Sequence, residues 1–505
     1  MKKVLFYFFA GLLALAAISC NKDEASLAKV TFRKANIAGS KMLALASGSV
    51  ATKAEGDVKI GPKALYSVSE DGTMVQVTYN VDVEGVNGEV AEFIKANLII
   101  SPGFIFPVGE GWLWLANCYM VYNGDWESMP QSPERSALSK IQNEFREVYH
   151  EGHGAHYLVR KSDGALFEWT IKAGAPFGMD DGFKQPTFLN GWFHQLGNDL
   201  FVKVDGWGGY GENAGKLFRL QDKGSTLDAV NVLGDNIGCG GMWPADGCLG
   251  MRFNYDGASP FGILTSPSFS PILLSTSFEN DKDCFMLSIA KKLYFAVQST
   301  TPRYVSDEKE TWQDGEDYIT DIYNLTVSGS SITLGSKICT IDGWMNGYGD
   351  DKPFISSGET LSWWSGNGDG SSRINSFDPK TGKVTSRDLP AHYPDNENQY
   401  VDGVGYKVDG TAGYWECDLS KDAAEYVTLD WSSAAEYQNS IVPGTLKLER
   451  FEAASLTLQF KASMTDGTVL YFFTSVTGTD KGVIKTSVGS ENNAGMVVTT
   501  MVRLN

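Results

Sequence analysis

From Ala64 onward the chain is a succession of short apolar runs of Val, Ile, Leu, Phe, Tyr and Trp, each broken by Gly, Asp, Asn or Ser. No long apolar stripe with the helical period runs through it, so the pattern predicts an all-β chain. One stretch departs from this. Between Ser132 and Val148, Pro133 sits near the start and Leu138, Ile141 and Phe145 recur on one face, which predicts a helix inserted in a loop. Residues 20–57, rich in Ala, Ser, Gly and Lys, are expected to hold a solvated linker, leaving 58–505 as the folded domain.

Many segments share one design, an apolar run, a two-residue turn and a second apolar run, which is the signal of a β-hairpin. Leu65 to Val77 and Tyr157 to Trp169 show it around Asp71-Gly72 and Asp163-Gly164. Others centre on Lys223-Gly224, Asp256-Gly257, Ser328-Gly329, Thr381-Gly382, Ser420-Lys421 and Asp466-Gly467. From Gly329 the turns recur at the spacing of propeller blades, roughly 40 to 50 residues. A specific repeat joins them. Asp205-Gly206-Trp207-Gly208-Gly209-Tyr210-Gly211 returns as Asp342-Gly343-Trp344-Met345-Asn346-Gly347-Tyr348-Gly349.

Phe377-Asp378-Pro379-Lys380-Thr381-Gly382-Lys383-Val384 resembles the outer-strand hairpin of bacterial β-propellers. With the repeat spacing, residues 58–505 resemble a β-propeller of six to eight blades, seven preferred, and the resemblance implies ligand sites on inter-strand loops at a channel mouth. Tandem β-sandwiches are the alternative, since alternating strands alone do not separate the two. In a propeller, the apolar alternation of Met496 to Leu504 suits a strand that closes the ring.

The first residues carry Lys2 and Lys3, then an apolar run from Val4 to Ala17 too short to span a bilayer stably. This reads as a signal peptide over residues 1–19. Ala16-Ala17-Ile18-Ser19-Cys20 resembles the lipobox of bacterial lipoproteins, which implies acylation of Cys20. Asn21-Lys22-Asp23-Glu24 resembles the tag of surface-exposed lipoproteins, so the expected location is the outer membrane, facing outward. No other run reaches the roughly 18 apolar residues of a transmembrane helix, so lipid is the expected membrane attachment.

The formal charge is −19, with 42 basic and 61 acidic residues, and loss of Lys2 and Lys3 with the signal makes it −21. With no run of basic residues, nucleic acid is excluded as an expected partner. Beyond Cys20, six cysteines remain. Cys239 and Cys248, separated by Gly-Gly-Met-Trp-Pro-Ala-Asp-Gly, are the best candidate for a disulfide. Burial of free thiols in a β core is the competing reading.

Aromatic residues beside glycine are candidate ligand contacts: Trp207, Tyr210, Trp344, Tyr348, Trp363 and Trp364. Flat rings on glycine-rich loops suit stacking against sugars, while tryptophans also wedge between propeller sheets. His150, His153 and His156 cluster around Glu151 as candidate transition-metal or haem ligands, without the HExxH spacing. No cofactor is expected outright. Calcium is a possible guest of Gly366 to Gly370 or Asp395 to Asn398, though neither completes an EF-hand. No nucleophile elbow, P-loop or dinucleotide fingerprint is present.

The function expected from this is capture of an extracellular nutrient, preferably a glycan, for an outer-membrane transporter. The alternatives are a propeller glycoside hydrolase or polysaccharide lyase, iron-chelate or haem binding, and a protein-docking module.

Overall fold

The computed structural model describes residues 29–504 except 41, 52–57, 69–73, 110, 150–153, 170–192, 205–214, 255–259, 276–283, 307–310, 329–330, 343–354, 358, 367–371, 396–398, 402, 453–456, 468 and 487–496. The signal peptide, Cys20 and its flanking tag lie outside the described residues.

The described chain opens with β1 (Lys29–Ala35) and enters a first sheet through β2 (Met42–Ala51), β3 (Val58–Val68) and β4 (Met74–Gln76). β5 (Tyr79–Glu84) turns back on β1, and α1 (Gly88–Asn97) leads into β6 (Leu98–Ser101). The second sheet is β7 (Phe104–Val108), β8 (Trp112–Tyr122), β9 (Ala155–Arg160) and β10 (Leu166–Glu168), with α2 (Pro133–Tyr149) between β8 and β9. β6 pairs the far end of β8, beyond the stretch paired by β7.

Simple four-stranded meanders follow. The third sheet is β11 (Phe193–Leu196), β12 (Asp199–Lys203), β13 (Leu217–Asp222) and β14 (Leu227–Asn231). The fourth is β15 (Gly238–Ala245), β16 (Cys248–Asn254), β17 (Phe261–Thr265) and β18 (Ile272–Leu273). β19 (Cys284–Ile289), β20 (Lys292–Ser306), β21 (Thr311–Ser328) and β22 (Ser331–Asp342) make the fifth. β23 (Ile355–Ser357), β24 (Thr360–Gly366), β25 (Ser372–Asp378) and β26 (Lys383–Asp388) make the sixth. The seventh holds β27 (Tyr400–Val401), β28 (Val404–Asp409), β29 (Gly413–Asp418) and β30 (Glu425–Thr428), followed by the short α3 (Ala435–Gln438). The eighth holds β31 (Lys447–Glu452), β32 (Thr457–Ser463), β33 (Val469–Ser475) and β34 (Lys485–Thr486). The last strand, β35 (Val497–Arg503), returns to pair with β2 as the first strand of the first sheet.

Each neighbouring pair of sheets encloses its own apolar cluster. Leu45 and Leu65 of the first sheet share one with Leu113 and Val159 of the second. Trp114 and Leu158 share the next with Val202 and Phe218, and Phe201 and Leu217 the next with Met251 and Phe253. Ile263 sits with Met286 and Phe295, and Phe285 and Leu287 with Trp363 and Phe377. Ile374 sits with Tyr400 and Cys417, and Tyr414 with Phe460 and Phe472. Tyr471 and Phe473 of the eighth sheet then meet Ala44 and Ala46 of the first. Clusters that join the sheets in chain order and join the last to the first define a closed ring, a β-propeller.

The same clusters dispose of the sandwich alternative. Phe201 and Val202 are successive residues of β12 and point to opposite faces, yet both are fully buried, one against the fourth sheet and one against the second. A sandwich would leave one of those faces to water. Burying each such side chain contributes about 1.5–3 kcal/mol.

The described strands form eight propeller units, seven of four strands and the second of five with β6, at the top of the expected six to eight and one more than the preferred seven. The predicted hairpins at Asp163-Gly164, Lys223-Gly224 and Thr381-Gly382 join the third and fourth strands of their sheets, and Gly164 takes φ +77°. α2 forms where the apolar period predicts it, with Leu138, Ile141 and Phe145 buried.

Two expectations are corrected. The segment expected as linker contains β1 and β2, because its alanines are core residues: Ala44 and Ala46 are fully buried, and small side chains let two sheets approach closely. α1 was not expected from the pattern. It is ten residues long and is started by Asn87, whose side chain accepts from Val90 N at 2.9 Å.

Candidate functional site

Successive strands of a meander run antiparallel, so chain reversals alternate between the two faces of the ring. One face carries the short hairpins. The other carries the connections between second and third strands and from sheet to sheet, including the segments that contain α1 and α2. On that longer-loop face, a cleft of about 420 Å³ opens between the two helices and the end of β8, lined by Phe93, Tyr122, Asp125, Ser128, Met129, Pro130, Ser132 and Glu134.

Its aromatic wall comes from α1 and β8. The rings of Phe93 and Tyr122 lie nearly parallel, 25° apart with centroids at 6.3 Å, and Trp126 meets Tyr122 edge-on at 5.9 Å. The wall is held from behind. Asn123 and Gln76 exchange both amide hydrogen bonds, at 2.9 and 3.1 Å, and Asn123 N donates to Asn97 O at the end of α1 at 2.8 Å.

The polar wall comes from the loop into α2. Ser132 caps the helix, its Oγ accepting from Arg135 N at 3.2 Å, and Pro133 follows at the first helical position, where its missing N–H costs nothing. Arg135 closes the loop by donating to Met129 O and lies 5.2 Å over the Trp126 ring. Asp125 Oδ1 accepts from Glu127 N at 3.0 Å, and its Oδ2 accepts from the Ser128 hydroxyl. The Ser132 hydroxyl and the backbone N–H of Glu134 hold the Glu134 carboxyl below its usual range, so it is ionised at neutral pH. The lining thus offers two carboxylates, two serine hydroxyls and aromatic faces, and no basic side chain.

The described residues among those singled out by sequence do not line this cleft. Trp207, Tyr210, Trp344 and Tyr348 lie outside the described residues. Their two motifs are not equivalent in the fold: the first falls between β12 and β13 within a sheet, the second between β22 and β23 of successive sheets. Trp363 is 9% exposed in the cluster between the fifth and sixth sheets, a packing position rather than a ligand face. Trp364 follows it in β24, opposite Ile374. His150 and His153 lie outside the described residues, whereas His156 is buried in β9 with its Nδ1 accepting from Trp114 Nε1 at 3.1 Å. One ring nitrogen of His156 is therefore already engaged.

The Cys239–Cys248 disulfide is corrected. Cys239 pairs with Phe253 at one end of the β15–β16 hairpin and Cys248 pairs with Ala245 at the other, and the two thiols enter different clusters. Both are free. Asn367 to Gly370 and Asn396 to Asn398 lie outside the described residues. Among the described residues no group of three or more His, Cys, Asp or Glu is placed to hold a metal, and no helix is long and apolar enough to cross a membrane.

The cleft residues were missed because they come from a helix, a strand end and a loop with no common period. The one local signal is Asn123-Gly124-Asp125-Trp126, which has the same glycine, aspartate and tryptophan texture as the repeated motif.

No protein-family model and no curated protein matches the chain. Among solved structures it is similar to a putative 6-phosphogluconolactonase from Bacteroides fragilis, at 8% identity over 88% of this chain and 94% of that one, with a TM-score of 0.26. The polysaccharide lyase Uly1 gives 11% identity, 80% and 100% coverage and a TM-score of 0.28. The WD40 domain of SCAP from fission yeast gives 11% identity and a TM-score of 0.25, over 57% of this chain and 64% of that domain, less than two thirds of its length. At such scores the architecture rests on this chain's own sheets and clusters.

Proposed function

We propose that this propeller binds a glycan in the cleft between α1 and α2. The observation that carries the reading is the pairing of the Phe93–Tyr122 aromatic wall with an acceptor-rich wall of Asp125, Ser128, Ser132 and Glu134. Sugar rings present an apolar C–H face that stacks on aromatics and a rim of hydroxyl donors that suits carboxylates. An anionic ligand would meet two carboxylates and no cation, so a neutral or amino sugar is the fitting class.

The export signal and Cys20 fit the same reading, with the chain tethered by lipid to the outer membrane, facing outward, and passing its ligand to a transporter. Replacement of Cys20 with alanine is expected to release the chain from the membrane fraction; retention would end the anchoring part of the proposal.

The test of the binding reading is calorimetry of residues 21–505 against a glycan panel, with product analysis of every mixture. A saturable heat without product, lost in Tyr122→Ala and weakened about tenfold in Asp125→Asn, supports it. Unchanged binding in both folded variants removes the cleft as the site, and product formation moves the chain to the hydrolases or lyases.

A further inference from the structure

The aromatic wall of the cleft depends on a residue with no side chain. Gly124 stands two residues beyond Tyr122, where the chain leaves β8, and its φ lies outside the left-handed region, so the backbone itself does not require glycine. The Tyr122 ring does. A Cβ at residue 124 would stand 2.6 Å from Cζ and Oη of Tyr122 and 2.7 Å from Cε1. Carbon atoms in contact keep roughly 3.5–4.0 Å. The ring thus folds back over the turn that follows it and takes the space a side chain would fill.

The turn is held on either side of Gly124. Asn123 exchanges both amide hydrogen bonds with Gln76 and donates its backbone N–H to Asn97 O at 2.8 Å, while Asp125 Oδ1 accepts from Glu127 N at 3.0 Å. A methyl at residue 124 would therefore displace the ring, by about 1 Å, rather than the backbone. The ring it displaces is the middle of the wall, nearly parallel to Phe93 on one side and edge-on to Trp126 on the other. Glycine lies under a tyrosine ring elsewhere, at Gly405 beneath Tyr400 and Gly413 beneath Tyr426, but those residues lie on neighbouring strands of the seventh sheet. Gly124 lies beyond the end of its strand, and the ring it admits lines the cleft.

We propose that Gly124 is the positioning residue of the cleft, fixing the Tyr122 ring parallel to Phe93 so that the flat face of a sugar stacks on it. The proposal rests on the reading of the cleft as a glycan site and identifies what holds that site in shape. Gly124 offers no group to a ligand and acts through Tyr122. Binding groups need to be held within about 0.5 Å of their working positions, and the methyl moves one of them about twice as far. The cost to the fold is small, because the far end of a half-buried ring moves, and alanine restricts the unfolded chain more than glycine does.

The test is Gly124→Ala in residues 21–505, with three readouts. Fluorine NMR of protein labelled with 3-fluorotyrosine reports the ring, the Tyr122 resonance being the one absent from Tyr122→Phe. Calorimetry against cellotetraose and the fully deacetylated chitosan tetramer, one uncharged and one cationic, reports binding, and thermal unfolding reports stability. The Tyr122 resonance is expected to move, the unfolding midpoint to stay within about 2 °C, and affinity for whichever tetramer the native protein binds to fall about tenfold. An unmoved Tyr122 resonance in the folded variant, or a moved one with unchanged affinity, would overturn the proposal. So would a midpoint lowered by more than about 5 °C, which would make Gly124 a folding residue. A native protein that binds neither tetramer would count against the glycan reading, while the resonance still decides whether Gly124 places the ring.

Discussion

Met42 lies opposite Arg503, so the first sheet of the ring is completed by the last strand of the chain. The pairing continues through Leu43 with Val502, Ala44 with Met501 and Leu45 with Thr500, and it buries Val502 and Leu504 in the cluster shared with the second sheet. A chain ending at Thr486 would lose that strand, leave the edge of β2 open and expose the fully buried Ala44 and Ala46. Its midpoint of thermal unfolding is expected to fall by at least about 10 °C, with onset of aggregation. Differential scanning calorimetry checks this, and an unchanged midpoint would mean that the ring does not depend on its closing strand.

The closing strand was legible because Met496 to Leu504 has the apolar alternation of a strand that pairs into a sheet. The hairpins were legible for the same reason: turn residues and flanking apolar runs are local signals. What was not legible depends on partners distant in sequence. Ala44 and Ala46 look like linker alanines until Tyr471 and Phe473 are seen against them. Trp363 beside glycine-rich sequence looks like a loop residue, but the register of β24 turns it inward with Leu361. The cleft unites Phe93, Tyr122 and Glu134 only after α1 and α2 have packed beside the end of β8.

His156 gives the next test, because the fold assigns it a packing role. Its ring sits 5.6 Å from that of Trp114, which is 2% exposed and also contacts Phe106 and Phe193. His156→Ala removes an acceptor from the Trp114 N–H and leaves a void between the second and third sheets. A loss of about 2–4 kcal/mol is expected in urea unfolding. Zinc should shift the unfolding midpoint of the native protein and this variant equally. A zinc-dependent stabilisation confined to the native protein would restore His156 as a ligand.

Arg160 and Asp163 predict an acid-dependent contribution. The Arg160 hydrogen bonds hold the Asp163 carboxyl down to about 2, from the usual 3.8, against a smaller opposing effect of burial. A depressed carboxyl stabilises the fold fully above its unfolded value and loses that contribution as pH falls through the folded one. Arg160→Met is therefore expected to cost about 1 kcal/mol at neutral pH, a small value because Asp163 is nearly half exposed and screened by solvent. The gap between the two proteins should narrow as pH falls from about 4 toward 2. Urea unfolding across that range tests it, and a gap independent of pH would assign the loss to the uncharged contacts of Arg160, its hydrogen bond to Gly224 O and its packing over the Phe167 ring.

The cysteines discriminate between an oxidised and a reduced core. A bridge between Cys239 and Cys248 needs Cα atoms within about 7 Å, whereas these two stand at opposite ends of a hairpin, facing different neighbouring sheets. Burial pushes the Cys239 and Cys417 thiols up to about 12 and Cys339 to about 11, so little thiolate exists at neutral pH to start exchange. Residues 21–505, purified without reductant, should release six thiols to Ellman's reagent in denaturant and react slowly when native. A denatured count two lower, with a bridged peptide joining Cys239 to Cys248, would show that the hairpin register differs from that of β15 and β16. Six thiols would place the stability of the ring in its apolar clusters and its closing strand, with no covalent cross-link.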